Sequence, residues 1–138
     1  MVSEVPEKRQ GVDEYGRSEI HYAKDANVIQ LMIDSGTDIN RQDDNGWCPL
    51  HFYAQACNID AVEVALANNA DPNLLDSHGN GPLWTATMNA KGNFSCVVAL
   101  LKSGANATRK NMHGRSPSDM ANTIKGGLER VFADDGHA

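Results

Sequence analysis

The sequence predicts an all-α solenoid of about four helix-turn-helix units that are joined by β-hairpin-like turns. Four turns that end in glycine recur along the chain, and these glycines are spaced by 30, 33 and 35 residues. Each turn is followed by a short helix-start motif and then by apolar residues at helical spacing. Three of the units also end in similar sequences, namely Ser35-Gly-Thr-Asp-Ile-Asn40, Asn68-Asn-Ala-Asp-Pro-Asn73 and Ser103-Gly-Ala-Asn-Ala-Thr108. A repeat of this size indicates stacked units that share one core.

The turns and the motifs after them contain residue types that suit the start of a helix. The turns are Asp13-Glu-Tyr-Gly16, Asp43-Asp-Asn-Gly46, Asp76-Ser-His-Gly79 and Asn111-Met-His-Gly114. The helix-start motifs are Ser18-Glu-Ile-His21, Cys48-Pro-Leu-His51, Gly81-Pro-Leu-Trp84 and Ser116-Pro-Ser-Asp119. Proline is tolerated in a first helical turn because its missing N–H would have no partner within the helix. Among the residues that open these motifs, Ser18 and Ser116 cap a helix better than Cys48 and Gly81 do.

Together these features resemble the ankyrin repeat, whose period is about 33 residues and whose signature is T-P-L-H-x-A. The resemblance covers about Asp13 to Ala121, and the segment from Asp43 to Leu75 fits the period without a gap. It implies one domain over 13–132, with repeats at about 13–42, 43–75, 76–110 and 111–132, of which the last is a polar C-terminal cap. The tails, 1–12 and 133–138, are predicted to be disordered.

The second helix of each repeat is predicted to supply most of the core. Gly36, Asn69 and Gly104 follow these helices, at the position where a left-handed residue ends a helix. The apolar residues at helical spacing are Val28, Leu31 and Met32, then Ile59, Val62 and Leu66, then Val97, Leu100 and Leu101. The first helices are expected to add Ile20, Leu50 and Leu83.

The first and third repeats depart from the pattern in length. Only four residues separate Ala23 from Val28, which predicts a clipped first helix and almost no loop between the helices of the first repeat. The third repeat is longer by two residues, so 89–93 is predicted to form an extended loop with a break at Gly92. A terminal repeat has one face without a neighbour, and departures are expected there.

The net charge of −6 and the composition disfavour several kinds of partner and location. An acidic surface repels phosphate groups, so nucleic acid and membranes are not expected partners, whereas a basic protein would be attracted. No apolar stretch approaches the roughly 20 residues that span a bilayer, and 1–12 lacks the apolar segment of a secretion signal. These features predict a cytoplasmic protein. Cys48, Cys57 and Cys96 form no C-x-x-C pair, which argues against a disulfide framework and a zinc site.

No motif in the chain indicates catalysis or cofactor binding. There is no G-x-S-x-G, no glycine-rich phosphate loop and no H-E-x-x-H, so we predict no enzyme, no cofactor and no metal. The resemblance implies that His21 and His51 act as structural clips that bind backbone between repeats. His78 and His113 lie at hairpin tips, where a role in a contact surface is favoured over a metal site made by the two.

The resemblance also implies that a partner contacts the hairpin tips and the exposed face of the first helices. Transferred onto this sequence, the predicted contact residues are Tyr15, Arg17, Asp44, Asn45, Trp47, Gln55, Ser77, His78, Asn80, Met88, Met112, His113 and Arg115. Trp47 is the most informative, because tryptophan is enriched among the residues that dominate binding energy. The alternative is that Trp47 lies flat on neighbours such as Tyr15 or Arg17. Trp84, at the signature histidine position, is predicted to point inward.

These observations predict a non-catalytic protein–protein interaction module. The clipped first repeat and the Asp-Ile-Asn and Asp-Pro-Asn repeat ends resemble bacterial ankyrin proteins, some of which are immunity proteins that neutralise a toxin or effector. A bare repeat stack without a second domain favours a small cytosolic inhibitor that works as a monomer or in a 1:1 complex. Its acidic charge would suit a basic toxin or effector enzyme. The alternative is a scaffold or adaptor subunit of a constitutive complex, with no inhibitory role.

Overall fold

The computed structural model describes residues 11–135, the last of them by its backbone alone. Within this range eight helices follow one another and no strand is present. The helices are α1 (Glu19–Tyr22), α2 (Ala26–Asp34), α3 (Pro49–Gln55), α4 (Ile59–Ala67), α5 (Pro82–Met88), α6 (Ser95–Lys102), α7 (Pro117–Ile124) and α8 (Leu128–Asp135). None of these helices is long and apolar enough to cross a bilayer.

Consecutive helices pair into four repeats, and the repeats stack side by side. The first helices of the repeats pack in one row, α1 on α3, α3 on α5 and α5 on α7. The second helices pack in another, α2 on α4, α4 on α6 and α6 on α8. Each repeat therefore buries its apolar face mainly against its neighbours, which is how a stack of small units makes one core. The predicted all-α solenoid is confirmed.

The first helices begin where the sequence predicts. Pro49, Pro82 and Pro117 each occupy the first turn of a helix, after a cap residue with extended backbone. Ser116 Oγ accepts a hydrogen bond from the Asp119 N–H at 3.0 Å, and Asp119 Oδ2 accepts one from the Ser116 N–H at 2.9 Å. This reciprocal cap fixes the start of α7. The bond from the Ser116 N–H is the main reason that the pKa of Asp119 falls to about 2.

The second helices end on left-handed residues, as predicted. The φ angles are 100° at Gly36, 69° at Asn69 and 92° at Gly104. Asparagine is the residue that most readily replaces glycine at this position, because it tolerates a left-handed backbone better than other side chains do.

The core of the second helix in the first repeat differs from the prediction at two residues. Ile29 is fully buried, whereas Val28 is 41% and Leu31 is 65% exposed. In the second and third repeats the position of Val28 is held by Ala61 and Cys96, which are buried inside the stack. No repeat precedes α2 among the described residues, so the same position faces solvent there. The prediction that Val28 and Leu31 are core residues is wrong.

The other predicted core residues lie in or against the core. Those that are buried are Ile20, Leu50, Val62, Leu83, Val97, Leu100 and Leu101. Those that are partly buried and pack against the buried set are Met32, Ile59 and Leu66. The helical spacing of apolar residues thus identifies the core of the second and third repeats.

The first repeat is shorter than the second because its first helix is shorter. Helix α1 has 4 residues, whereas α3 has 7. The loop between the helices of the first repeat, 23–25, is as long as the loop 56–58 of the second repeat. The clipped helix is therefore confirmed, and the prediction that its loop is nearly absent is wrong.

The third repeat and the C-terminal end are longer than the regular unit. Between α5 and α6 the chain makes the predicted extended loop, which turns at Lys91 and Gly92 with φ angles of 45° and 87°. Helix α8 packs through Leu128 and Phe132, which are buried, and it continues to Asp135. The domain therefore extends beyond the predicted boundary at 132, and 133–135 are helical rather than disordered. The rest of the predicted tails, 1–10 and 136–138, lies outside the described residues.

Candidate protein-binding groove

Each of the four hairpins is closed by the side chain of its first residue. In the second hairpin, Asp43 Oδ1 accepts hydrogen bonds from the N–H groups of Asn45 and Trp47, both at 2.8 Å. Asp13, Asp76 and Asn111 make the same pair of bonds in their hairpins, at 2.8 to 3.1 Å. An aspartate or asparagine that binds the backbone two residues on stabilises a turn without help from the rest of the protein. The tips are therefore locally rigid.

Neighbouring hairpins are joined through their backbones. The Asp44 N–H donates to the Tyr15 carbonyl at 2.9 Å, and the Ser77 N–H donates to the Asn45 carbonyl at 2.9 Å. The Met112 N–H continues the series with a bond of 3.0 Å to the His78 carbonyl. The carbonyl of the third residue in each of the first three hairpins thus accepts the N–H of the second residue in the next hairpin. The tips form one continuous row.

Side chains make a parallel set of links beneath the tips. Arg17 Nε donates to Asp43 Oδ2 at 2.9 Å, and the Asp43 side chain is only 1% exposed. Trp47 Nε1 donates to Asp76 Oδ2 at 3.0 Å. The third link joins two amides, since Asn111 Nδ2 donates to the side-chain oxygen of its partner, Asn80, at 2.9 Å. We call these contacts the first, second and third joints, after the order of the repeats that they connect.

An aromatic cluster of Trp47, His51 and Phe52 lies beside the first two joints. The indole of Trp47 stacks on the His51 imidazole, with centroids 5.2 Å apart and planes at 24°. Phe52 meets the Trp47 ring edge-on at 4.9 Å, and the Arg17 guanidinium lies 4.9 Å from the centroid of Phe52. Trp47 is therefore half-buried and hydrogen-bonded, and the expectation that it is solvent-exposed is corrected. Trp47 packs on His51 and Phe52 rather than on Tyr15 or Arg17, and that it also contacts a partner stays a prediction.

The signature histidines bind backbone through both ring nitrogens. His51 Nδ1 accepts from the Cys48 N–H at 3.1 Å, and Nε2 donates to the Asn80 carbonyl of the next repeat at 3.0 Å. His21 accepts from the backbone in the same way and donates to the Arg41 carbonyl at 3.0 Å, at the end of its own repeat. Burial lowers the pKa of both imidazoles, which keeps them neutral near pH 7. The predicted clip between repeats is confirmed for His51, whereas His21 clips the connection to the second hairpin.

The aromatic cluster and the ends of α3 and α5 border one open groove between the second and third repeats. Eight predicted contact residues line it, namely Arg17, Asn45, Trp47, Gln55, Ser77, His78, Asn80 and Met88. Asn89, at the cap of α5, lines it as well. The other predicted contact residues are exposed hairpin residues outside this lining, namely Tyr15, Asp44, Met112, His113 and Arg115. That these residues contact a partner stays a prediction.

Four residues that line the groove were missed by the sequence reasoning, namely Phe52, Asp76, Trp84 and Thr85. Trp84 was predicted to point inward, but it is half-buried and part of its surface faces the groove. The signal that could have found Trp84 is its size, because an indole at a position built for an imidazole extends beyond the space between the repeats. Phe52 follows the signature histidine, and its aromatic ring one residue after His51 was the available clue.

The described residues offer no cluster suited to a metal ion. No group of three or more His, Cys, Asp and Glu side chains suited to a metal lies within the described part of the chain. His78 and His113 stack at the tips with ring centroids 6.0 Å apart, as neighbours in the hairpin row. Burial raises the pKa of Cys48 and Cys96 to about 11, so both thiols stay protonated and unreactive at neutral pH.

The stacked helix pairs and the row of hairpins define a helical repeat protein. Residues 10–111 match a family model described as ankyrin repeats (3 copies). The chain therefore belongs to the ankyrin-repeat family, and ankyrin repeats are protein–protein interaction modules.

Several proteins are similar to this chain over part of their length. An ankyrin repeat protein of fowlpox virus (strain NVSL) is 38% identical over 60 residues, which are 43% of this chain and 14% of that protein. The E3 ubiquitin-protein ligase KEG of Arabidopsis thaliana is 30% identical over 114 residues, 79% of this chain and 7% of that protein. The human ankyrin repeat domain-containing protein 63 is 28% identical over 101 residues, 70% of this chain and 26% of that protein. The chain spans about a quarter or less of the length of these relatives.

Proposed function

We propose that this chain is a non-catalytic cytoplasmic inhibitor, of the immunity type, that holds a basic partner protein in the groove between its second and third repeats. The observation that carries the proposal is the composition of that groove. Its lining combines three aromatic side chains with four amide side chains and an exposed methionine, and it also includes the charged residues Arg17 and Asp76.

The groove lining matches what protein interfaces use for affinity. Trp47 and Phe52 supply aromatic area that is already held in place, so little side-chain freedom is lost on binding, and Trp84 adds further aromatic surface to the lining. Met88 is 43% exposed at the end of α5 and can adapt its shape to an incoming side chain. Aromatic residues and methionine are enriched in protein interfaces, whose rims are polar.

The amides of the rim suit the backbone of a bound loop. Asn45, Gln55, Asn80 and Asn89 all line the groove, and each carries both a donor and an acceptor. Such groups can bind the N–H and carbonyl groups of an extended segment without requiring a charged sequence. The net charge of −6 adds long-range attraction for a basic partner and speeds its association.

The test is affinity capture of a partner by the 138-residue chain, followed by an assay of the partner's own activity. Met88→Lys places a positive charge at the groove rim and is expected to weaken capture of a basic partner by about tenfold or more. Leu31→Lys is the matched control, because Leu31 is 65% exposed on α2 and receives the same change of charge. We expect it to capture the partner as the parent chain does.

Two results would contradict the proposal. Equal capture by Met88→Lys and by the parent chain would place the contact surface elsewhere. A captured partner that keeps full activity would replace the inhibitor by a scaffold or adaptor subunit. Loss of the partner's activity in proportion to bound chain, with Leu31→Lys equally effective, supports the inhibitor.

A further inference from the structure

Within the described residues, the row of hairpin tips ends at the fourth hairpin. In the first three hairpins the carbonyl of the third residue accepts an N–H from the next hairpin. The equivalent carbonyl in the fourth hairpin belongs to His113. No backbone N–H of residues 11–135 bonds to it. The fourth hairpin therefore presents a backbone acceptor in the same place and direction as three acceptors that are already used.

Arg115 repeats the position of Arg17 at this open end. Each follows the glycine of its hairpin, and each has its N–H bound by the first side chain of that hairpin, at 2.9 Å for Arg17 and 3.1 Å for Arg115. Each also returns its carbonyl to the first N–H of the hairpin at 2.8 Å. The two side chains thus leave equivalent backbones. Arg17 reaches Asp43, whereas no carboxylate within residues 11–134 pairs with Arg115, whose side chain is exposed.

The space beside the fourth turn is also open. A Cβ atom built on Gly46 would lie 2.8 Å from the Asp76 backbone, and one built on Gly79 would lie 3.2 Å from the Met112 nitrogen. Both of these turns are in close contact with the hairpin that follows. A Cβ on Gly114 would meet nothing within 4 Å. The surface that receives a following hairpin is therefore present at the fourth turn and unfilled by the described residues.

We propose that this end of the row binds a turn of the partner protein that begins with aspartate. The inference rests on the proposed function, since it takes the partner to be a protein, and it adds a second contact to the groove. The aspartate carboxylate accepts from the Arg115 guanidinium, and the N–H of the next residue donates to the His113 carbonyl. This repeats the arrangement in which Asp43 binds Arg17.

The first joint defines what such a turn must contain. Asp43 accepts from Arg17 at 2.9 Å, and the N–H of the following residue, Asp44, donates to the Tyr15 carbonyl at 2.9 Å. A carboxylate is needed because a charge-assisted bond to guanidinium is about twice as strong as a neutral one. The second residue of the turn cannot be proline, because proline has no N–H to donate. A basic partner can carry such a turn, since the contact needs a single local carboxylate.

The probe is a cyclic peptide with the sequence Gln-Asp-Asp-Asn-Gly-Trp, which is 42–47 of this chain and already folds as the required turn there. It is titrated against the isotopically labelled 138-residue chain, and backbone amide resonances are followed by NMR. We expect the resonances of 112–115 to shift, with a Kd on the order of 1 mM. Arg115→Gln, which keeps a polar side chain but removes the charge and the guanidinium, should raise that Kd by about tenfold. A peptide in which asparagine replaces the first aspartate should show the same rise in Kd, about tenfold.

Three outcomes would overturn the inference. The first is no shift at 112–115 with about 5 mM peptide, which would place the Kd well above the expected value. The second is an equal response from Arg115→Gln or from the asparagine peptide. The third is a shift of the same resonances with chain concentration alone, which would make the occupant the Asp13 turn of a second copy. Arg115→Lys, which keeps the charge without the two-pronged donor, should bind with intermediate affinity.

The peptide titration and the groove experiment can fail separately. The peptide needs no cellular partner, so its failure leaves the groove proposal intact. If Met88→Lys and the parent chain capture partner equally, the groove proposal fails and the peptide result still decides the role of Arg115. Where a partner is captured, Arg115→Gln is expected to weaken its binding by about tenfold without changing the fold, because the Arg115 side chain is exposed.

Discussion

The first joint and the third joint perform the same task with different chemistry. In the first joint the Arg17 guanidinium binds the Asp43 carboxylate, which is almost fully buried. In the third joint two neutral amides, those of Asn111 and Asn80, meet at the same distance of 2.9 Å. In this chain the residue after each of the first three glycines is therefore linked to the start of the next hairpin, and the link need not carry charge. The two joints are expected to differ in how much the free energy of unfolding falls when the link is broken.

A second difference lies at the signature position of the first helices. The first and second repeats carry His21 and His51, which bind backbone through both ring nitrogens. The third repeat carries Trp84, whose indole has a single donor and cannot make two such bonds. The N-terminal half of the stack thus depends on neutral imidazoles, and the C-terminal half does not.

The largest expected effect comes from breaking the charged link. Arg17→Ala leaves the buried Asp43 carboxylate without its cation, which should lower the free energy of unfolding by about 3 kcal/mol. Arg115→Ala is the matched control, since it removes an exposed arginine from the equivalent position and should change stability by about 0.5 kcal/mol or less. Urea denaturation followed by circular dichroism measures both. Similar midpoints for the two variants would mean that the Asp43 pair contributes little.

Acid should weaken the N-terminal half of the stack before the C-terminal half. Burial lowers the pKa of His21 and His51 in the folded state, so the unfolded chain binds protons more readily. Their contribution is complete above the unfolded pKa of about 6.5 and is lost as pH falls below it. We therefore expect the free energy of unfolding to fall as the pH is lowered from 7.5 to 5.5. Asp119 adds nothing at that pH, because its pKa of about 2 keeps it ionised.

Amide hydrogen exchange at pH 7.5 and pH 5.5 separates the two halves of the stack. Protection should fall more in α1 to α4 than in α7 and α8. The variant His51→Gln should be less stable at neutral pH and less sensitive to acid. An even loss of protection along the whole chain would rule out the histidine clips as the cause.

Breaking the neutral link should have the smallest effect. Asn80→Ala removes the amide that accepts from Asn111, and the loss of one uncharged hydrogen bond costs about 1 kcal/mol. The backbone carbonyl of Asn80, which accepts from His51, is retained in this variant. The midpoint of urea unfolding should therefore lie between those of Arg115→Ala and Arg17→Ala. A loss as large as that of Arg17→Ala would show that charge does not set the strength of a joint.

Most of the fold could be predicted because several independent sequence features indicate the same repeat. Glycine spacing, proline in first helical turns and left-handed residues after second helices all indicate the same unit, and Pro49, Pro82 and Asn69 lie where they were expected. The core of α2 could not be assigned because Val28 and Ile29 are adjacent and both apolar. Periodicity alone does not say which of the two faces a neighbouring repeat.

The candidate site was predictable in outline, and its internal bonds were not. Its hairpin residues follow from the position of each glycine. The partner of Trp47 is Asp76, 29 residues away in the next repeat, and nothing local to either residue signals the bond. The prediction for Trp84 was wrong because it assumed that any side chain at the signature position points into the stack. An indole is larger than the imidazole of His51 at the equivalent position, and Trp84 is only half-buried there. Its size was the available signal, but the fraction of the ring that stays exposed depends on the spacing between repeats, which no local sequence feature indicates.

The links between repeats also bear on how the chain folds. The bonds of Arg17 to Asp43 and of Tyr53 to the Ile20 carbonyl join residues 26 and 33 positions apart, about one repeat length. Closing a loop of that size costs little more entropy than closing a shorter one, since the cost grows only with the logarithm of length. Any two adjacent repeats can therefore serve as a nucleus, and the remaining repeats add to it one at a time. A stack held in this way is expected to fold at a rate set by its best pair of neighbours rather than by its total length.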